Sequence, residues 1–229
     1  MNRVCIAALL ALGCVSSVNA ADKVKHLFIL SGQSNMANLD PSTSFTPALE
    51  KAFGKENVVV VKDAQKGQPI SRWYKKWKPT QGDAPATTGD LCDRLMKQVN
   101  GATKDDKFAT VTFIWMQGER DAKDNQGEVY AASLKGLIAQ LSEDLKRKDI
   151  NFVIGRLSDS GLVGKGNPQW NVVRKAQVEV AEAYSRGAWV DTDDLNGDKN
   201  DLHYTEDGYK KLGERFAEKS IGLIKQNAK

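Results

Sequence analysis

Ser34 and His203 have the chemistry of a nucleophile and its base. Ser34 stands in Gly32-Gln33-Ser34-Asn35-Met36, directly behind the apolar run Leu27-Phe28-Ile29-Leu30. A buried strand that ends in a small-residue turn presents a hydroxyl at the carboxyl edge of a sheet, where α/β proteins bind ligands. A serine hydroxyl is a weak nucleophile and needs a base to take its proton. The chain has 2 histidines, His26 and His203. His26 opens the first apolar run, so it falls at the amino edge of that strand, far from Ser34, and reads as a surface or packing residue. His203 lies in Asp198-Lys199-Asn200-Asp201-Leu202-His203-Tyr204, ahead of the last helical pattern, and is the candidate base.

Attack of Ser34 on an ester carbonyl would also require donors aimed at the oxygen that becomes negative. The backbone N–H groups of Ser34 and Gly67 are two candidates, because glycine lets the main chain approach a substrate closely. The side-chain amide of Gln117, in Trp115-Met116-Gln117-Gly118-Glu119-Arg120-Asp121, is the third. Each such donor is typically worth ~2.7–4 kcal/mol in the transition state. Glu119 and Asp121 form a carboxylate pair, but glycoside cleavage needs a set separation across a sugar cleft. Their place just past a strand end fits bracing of Gln117 and its loop better.

The segment Arg72-Trp73-Tyr74-Lys75-Lys76-Trp77-Lys78 is densely aromatic. Trp73 and Trp77 are candidates for a platform on which sugar rings stack; packing into the domain, with the lysines solvated, is the other reading.

These residues need a scaffold that brings distant loops together. Strand-length apolar runs occur at Leu27–Leu30, Val58–Val61, Phe108–Met116, Phe152–Leu157 and Ala188–Val190. They lack strict alternation, as parallel strands buried on both faces do. Helical patterns separate them. The clearest covers Glu128–Lys148, another follows Pro168, and the last starts with Thr205 as N-cap. Strand-helix alternation in one domain predicts an α/β three-layer sandwich, about five parallel strands with helices on both faces. The loops after the strands then project from one edge.

Residues 1–20 read as a secretory signal peptide: Asn2 and Arg3, an apolar stretch Val4–Val15, then Val18-Asn19-Ala20. The expectation is a chain exported to the periplasm or beyond, with residues 21–229 as one domain. Of 3 cysteines only Cys92 lies outside that leader, in a helical pattern that suits burial. The net charge of +4 is mild, with acidic and basic residues interleaved, which calls for no nucleic acid and no anionic membrane. No later stretch reaches the ~20 apolar residues of a membrane span. Two distant histidines and one isolated cysteine give no metal cluster, and no glycine-rich dinucleotide motif occurs, so no cofactor is expected.

Taken together, Gly32-Gln33-Ser34-Asn35-Met36, Gln117-Gly118-Glu119 with Asp121, and His203 ahead of a terminal helix resemble the SGNH hydrolases. More narrowly they are similar to the branch of sialate O-acetylesterases and acetylxylan esterases, with motifs in order over nearly the whole chain past the leader. The resemblance implies a flavodoxin-like sheet, Ser34 as nucleophile, His203 as base and an oxyanion hole from Ser34, Gly67 and Gln117. The implied substrate is an acetylated carbohydrate. One departure stands out. The family places an aspartate three residues before the histidine, and here that position is Asn200. Either Asn200 or its carbonyl orients His203 as part of a dyad, or a carboxylate such as Asp201 or Asp198 takes the acid's place. An asparagine cannot offset imidazolium charge, and the equivalent loss in a serine protease costs about 10⁴ in turnover. A non-catalytic carbohydrate-binding protein and a lipid or thioester hydrolase are the rival readings on the same fold.

Overall fold

The computed structural model describes residues 24–104, 106–162 and 167–228; the leader reading of residues 1–20 lies outside these. Five strands form one parallel sheet: β1 (Lys25–Gly32), β2 (Val58–Ala64), β3 (Phe108–Met116), β4 (Asn151–Gly155) and β5 (Gly187–Val190). They lie in the order β2-β1-β3-β4-β5. The central strands carry residues such as Phe28, Ile29, Leu30, Phe113, Ile114, Val153 and Ile154, all buried. Those runs are apolar throughout because both faces are covered.

The coverage follows from connection handedness. From β1 the chain steps to one side to reach β2, then crosses back past β1 to β3 and continues outward to β5. Right-handed crossovers put α2 (Phe45–Phe53) on one face and α3 (Asp90–Thr103), α5 (Gly127–Asp144) and α6 (Pro168–Glu182) on the other. The terminal helix α7 (Glu206–Asn227) packs on β4 and β5 and against α2, completing the first face. This is the flavodoxin-like sandwich expected. The connections leaving β1 and β3 diverge to opposite sides, so the crevice for a ligand opens at the carboxyl ends of those two strands.

Two boundaries differ from the pattern, each for a local reason. β4 stops at Gly155 because the Leu157 N–H turns to the Gln177 side chain of α6. α5 ends at Asp144, short of Lys148, because Lys146 takes a left-handed backbone, φ 53°. Two short helices, α1 (Ser34–Asn38) and α4 (Glu119–Lys123), follow β1 and β3 directly. Thr205 caps α7 as expected, accepting from Gly208 N, and Asn167 caps α6 through Gln169 N.

Cys92 is buried in α3, and loss of hydration pushes its thiol up to about 11, so it behaves as a packing residue. His26 is buried near the start of β1, its Nδ1 2.8 Å from Thr110 Oγ1 and its ring against Phe53. It lies at the opposite end of β1 from Ser34. No described helix is long and apolar enough to cross a membrane.

Candidate active site at the β1/β3 crevice

Gly32 makes the crevice possible. Its φ is +144°, and a Cβ there would sit 2.0 Å from Met116 O. Only glycine lets the end of β1 close on the end of β3 so that Gln33 N donates to Met116 O at 2.9 Å. The chain then enters α1 with Ser34 as its first residue. Ser34 is 6 % exposed. At the first helical position its N–H has no partner within the helix, and no other bond from it is found among the described residues.

The next side chain holds the rim together. Asn35 Nδ2 donates to Glu119 Oε1 and to Leu202 O, both at 3.1 Å, while its Oδ1 accepts from Tyr209 Oη at 2.9 Å. Leu202 immediately precedes His203. A single amide thus fastens the serine turn to the loop after β3, to the histidine loop and to α7. His203 itself is exposed, and its ring is not hydrogen-bonded to Ser34.

The third loop, after β2, is drawn in by Gln65 N donating to Gly32 O at 3.0 Å. Gly67 is exposed with φ +67° and open space where a Cβ would be. No bond from its N–H is found among the described residues. Asp121 Oδ2 accepts from Ile70 N at 2.9 Å and from Gln117 Nε2 at 2.5 Å, tying the β2 loop to the β3 loop. Gln117 Nε2 also donates to Gln68 O at 3.0 Å. Both amide protons are therefore taken by protein acceptors, so the third oxyanion donor expected at Gln117 is not free in this arrangement. Its Oε1 is buried without a partner.

Glu119 and Asp121 are both fully enclosed. Burial pushes each carboxyl up to about 7, against the donors Asn35 for Glu119 and Gln117 and Ile70 for Asp121. Glu119 Oε2 and Asp121 Oδ1 have no partner. Shut off from solvent, the pair braces loops, as its spacing suggested, and does not face a sugar.

The aromatic segment requires a correction. Trp73 is 1 % exposed, donates from Nε1 to Ser31 Oγ at 2.9 Å and meets Trp115 edge-on at 5.1 Å. It fills the space beneath the ends of β1 and β3 and offers no face to a ligand. Trp77 is 7 % exposed. Its edge borders a surface hollow of about 420 Å³ lined also by Gln68, Pro69, Arg72 and Pro79, next to Gly67. Larger hollows of about 540 and 510 Å³ lie beside β5 and at the amino ends of β1 and β3, away from Ser34.

In the histidine loop, Asn200 has a left-handed backbone, φ 46°. Its Nδ2 donates to Asp159 Oδ1 at 3.0 Å, and its Oδ1 is buried without a partner. The side chains of Asn200 and Asp201 make no hydrogen bond to His203; Asp201 and Asp198 are exposed. Asp159 and Asn35 carry contacts that the sequence reading did not assign. The available signal for Asp159 was Ser158-Asp159-Ser160 directly behind the fourth strand, a polar cluster at the same edge.

Residues 37–222 match the family model described as carbohydrate esterase, sialic acid-specific acetylesterase, a match that begins three residues past Ser34. No significant relative is found among curated proteins. Among solved structures, a protein from Arabidopsis thaliana superposes with TM-score 0.68 at 19% identity, covering 87% of this chain and 98% of that one. A carbohydrate acetylesterase from Xanthomonas citri gives 0.64 at 17%, covering 88% of this chain and 57% of that one. A carbohydrate acetylesterase family member from Sinorhizobium meliloti gives 0.53 at 11%, covering 88% and 100%. At such identities the likeness is one of fold. The extent of the family match, on a β2-β1-β3-β4-β5 sheet with its crevice at the serine turn, decides the matter: the chain belongs to the sialic acid-specific acetylesterase family of carbohydrate esterases.

Proposed function

We propose that this protein is an exported serine esterase that removes O-acetyl groups from carbohydrate. Ser34 Oγ attacks the acetyl carbonyl and His203 takes its proton. The backbone N–H groups of Ser34 and Gly67 receive the developing oxyanion. His203 then gives the proton to the sugar oxygen as its bond to the acetyl carbon breaks, and water, deprotonated by the same imidazole, releases acetate from the acyl-enzyme. Gln117 sets the spacing of the serine and Gly67 loops; to donate to substrate itself it would have to release Gln68 O. The sugar lies over the hollow beside Gln68, with the Trp77 edge at its border.

The observation that carries this reading is the Asn35 amide, which links the residue after Ser34 to the carbonyl before His203 at 3.1 Å. Two loops 167 residues apart in sequence are held at one rim by it. In apo enzymes a catalytic hydrogen bond is often long and tightens only with substrate. The test is acetate release from p-nitrophenyl acetate, acetylated xylan and O-acetylated sialic acid by the native chain, Ser34→Ala and His203→Ala. Activity confined to the native chain supports the proposal; equal activity in all three overturns it.

A further inference from the structure

The position three residues before His203 holds an amide where the family places a carboxylate, and that amide is not idle. Asn200 Nδ2 donates to Asp159 Oδ1 at 3.0 Å, which fixes which end of the amide is which. The remaining atom, Oδ1, is an acceptor that is buried and unpartnered. A buried acceptor without a donor carries a desolvation cost. The left-handed backbone at Asn200, with its N–H on Gly197 O at 3.0 Å, holds the side chain in this loop. Asp159 opens the short turn Asp159–Gly161 after β4, so its carboxylate reaches the histidine loop from a neighbouring strand end.

We propose that Asp159 supplies, through the Asn200 amide, the negative charge that position 200 lacks. Its carboxylate accepts from Asn200 Nδ2, and Asn200 Oδ1 accepts from the Nδ1–H of His203 as the reaction proceeds. The amide dipole then lies with its positive end toward Asp159 and its negative end toward the imidazole. When Ser34 gives its proton to Nε2, the imidazolium keeps Nδ1–H. No proton crosses the amide and no bond other than those of acyl transfer changes. Asp159 and Asn200 are positioning residues; they touch neither substrate nor the attacked carbonyl.

The charged neighbours fit this role. Arg174 of α6 is bound to Asp193, and Arg156 at the end of β4 is bound to Asp191 and Asp193. Those two cations are thus matched by two aspartates of the loop after β5. Arg174 still senses the Asp159 charge, and Glu119 faces the rim from the β3 side through Asn35.

The inference rests on the assignment of Ser34 and His203 above, and its test separates the two. The constants kcat and KM for p-nitrophenyl acetate are measured for the native chain, Asp159→Asn, Asn200→Ala and the exchanged pair Asp159→Asn/Asn200→Asp, with Ser34→Ala and His203→Ala as references. In Asp159→Asn the forming imidazolium loses its distant counter-charge, so the loss falls on kcat and KM stays near the native value. Turnover falls about 10–100-fold. The exchanged pair restores turnover, because residue 200 then carries the charge and residue 159 the donating amide. A loss in Asp159→Asn that falls on KM with kcat unchanged, or an exchanged pair no better than Asp159→Asn, overturns the inference while inactive Ser34→Ala and His203→Ala leave the esterase assignment standing. Full activity in those two references removes both.

Discussion

Glu119→Gln is expected to stabilise the protein at pH 8 and leave it nearly unchanged at pH 5. Glu119 is fully enclosed, with one oxygen on Asn35 Nδ2 and the other without a partner, and its carboxyl is pushed from 4.5 up to about 7 by burial. Raising a carboxyl over that interval corresponds to about 3 kcal/mol of preference for the protonated form. The sign follows from proton counts. Between pH 4.5 and about 7 the unfolded chain has released this proton and the folded chain retains it. Stability from this group is therefore complete below the unfolded value and is lost as pH rises through the folded one. Above that point the native protein carries a buried anion, one oxygen of which has no partner, and the glutamine variant lacks it. Asp121, raised to about 7 mainly by burial, loses stability over the same window in both proteins. The assay is urea unfolding at intervals from pH 4.5 to 8.5 for both proteins, with the difference taken at each pH so that exposed carboxylates cancel. A difference below about 1 kcal/mol at pH 5 that grows to about 3 kcal/mol at pH 8 is expected. A difference independent of pH, or one that grows toward acid, would refute the burial argument.

Three other substitutions probe the frame. Gly32→Ala places a methyl 2.0 Å from Met116 O at φ +144°, so the β1 and β3 ends must part; a loss of about 4 kcal/mol or more in unfolding free energy, or insoluble expression, is expected. Trp73→Ala removes a ring buried between Ser31 and Trp115 and should cost roughly 3–5 kcal/mol by thermal or urea unfolding. Asp121→Ala releases both Ile70 N and Gln117 Nε2. With the Gly67 loop out of register, kcat should fall about 100-fold with little change in KM by steady-state kinetics.

The sheet could be read from the chain because each strand is a short apolar run whose character does not depend on its partner. Val58–Val61 and Ala188–Val190 are recognisable without knowing that they lie at opposite edges. Ends were harder, since they turn on single distant bonds such as Gln177 to Leu157 N, or on a left-handed lysine at position 146 that no local pattern marks. The serine turn and the histidine loop were legible as motifs. What joins them was not: Asn35 reaches Leu202 and Tyr209, and Asn200 reaches Asp159, across separations that propensity does not sense. Which face of an aromatic points inward is likewise a tertiary matter, so Trp73 was open to a platform or a packing reading, and it is core. The Gln117 amide has the right chemistry for an oxyanion donor, and only the fold reveals that its two protons are already taken.

Covalent capture tests the central claim most directly. A fluorophosphonate probe reacts with a serine only where a base and oxyanion donors activate it. After incubation with the full chain and digestion, mass spectrometry should find one phosphonyl group, on the peptide carrying Ser34, with labelling far slower in His203→Ala and absent in Ser34→Ala. Labelling elsewhere in the chain, or a Ser34 as reactive without His203 as with it, would contradict the account.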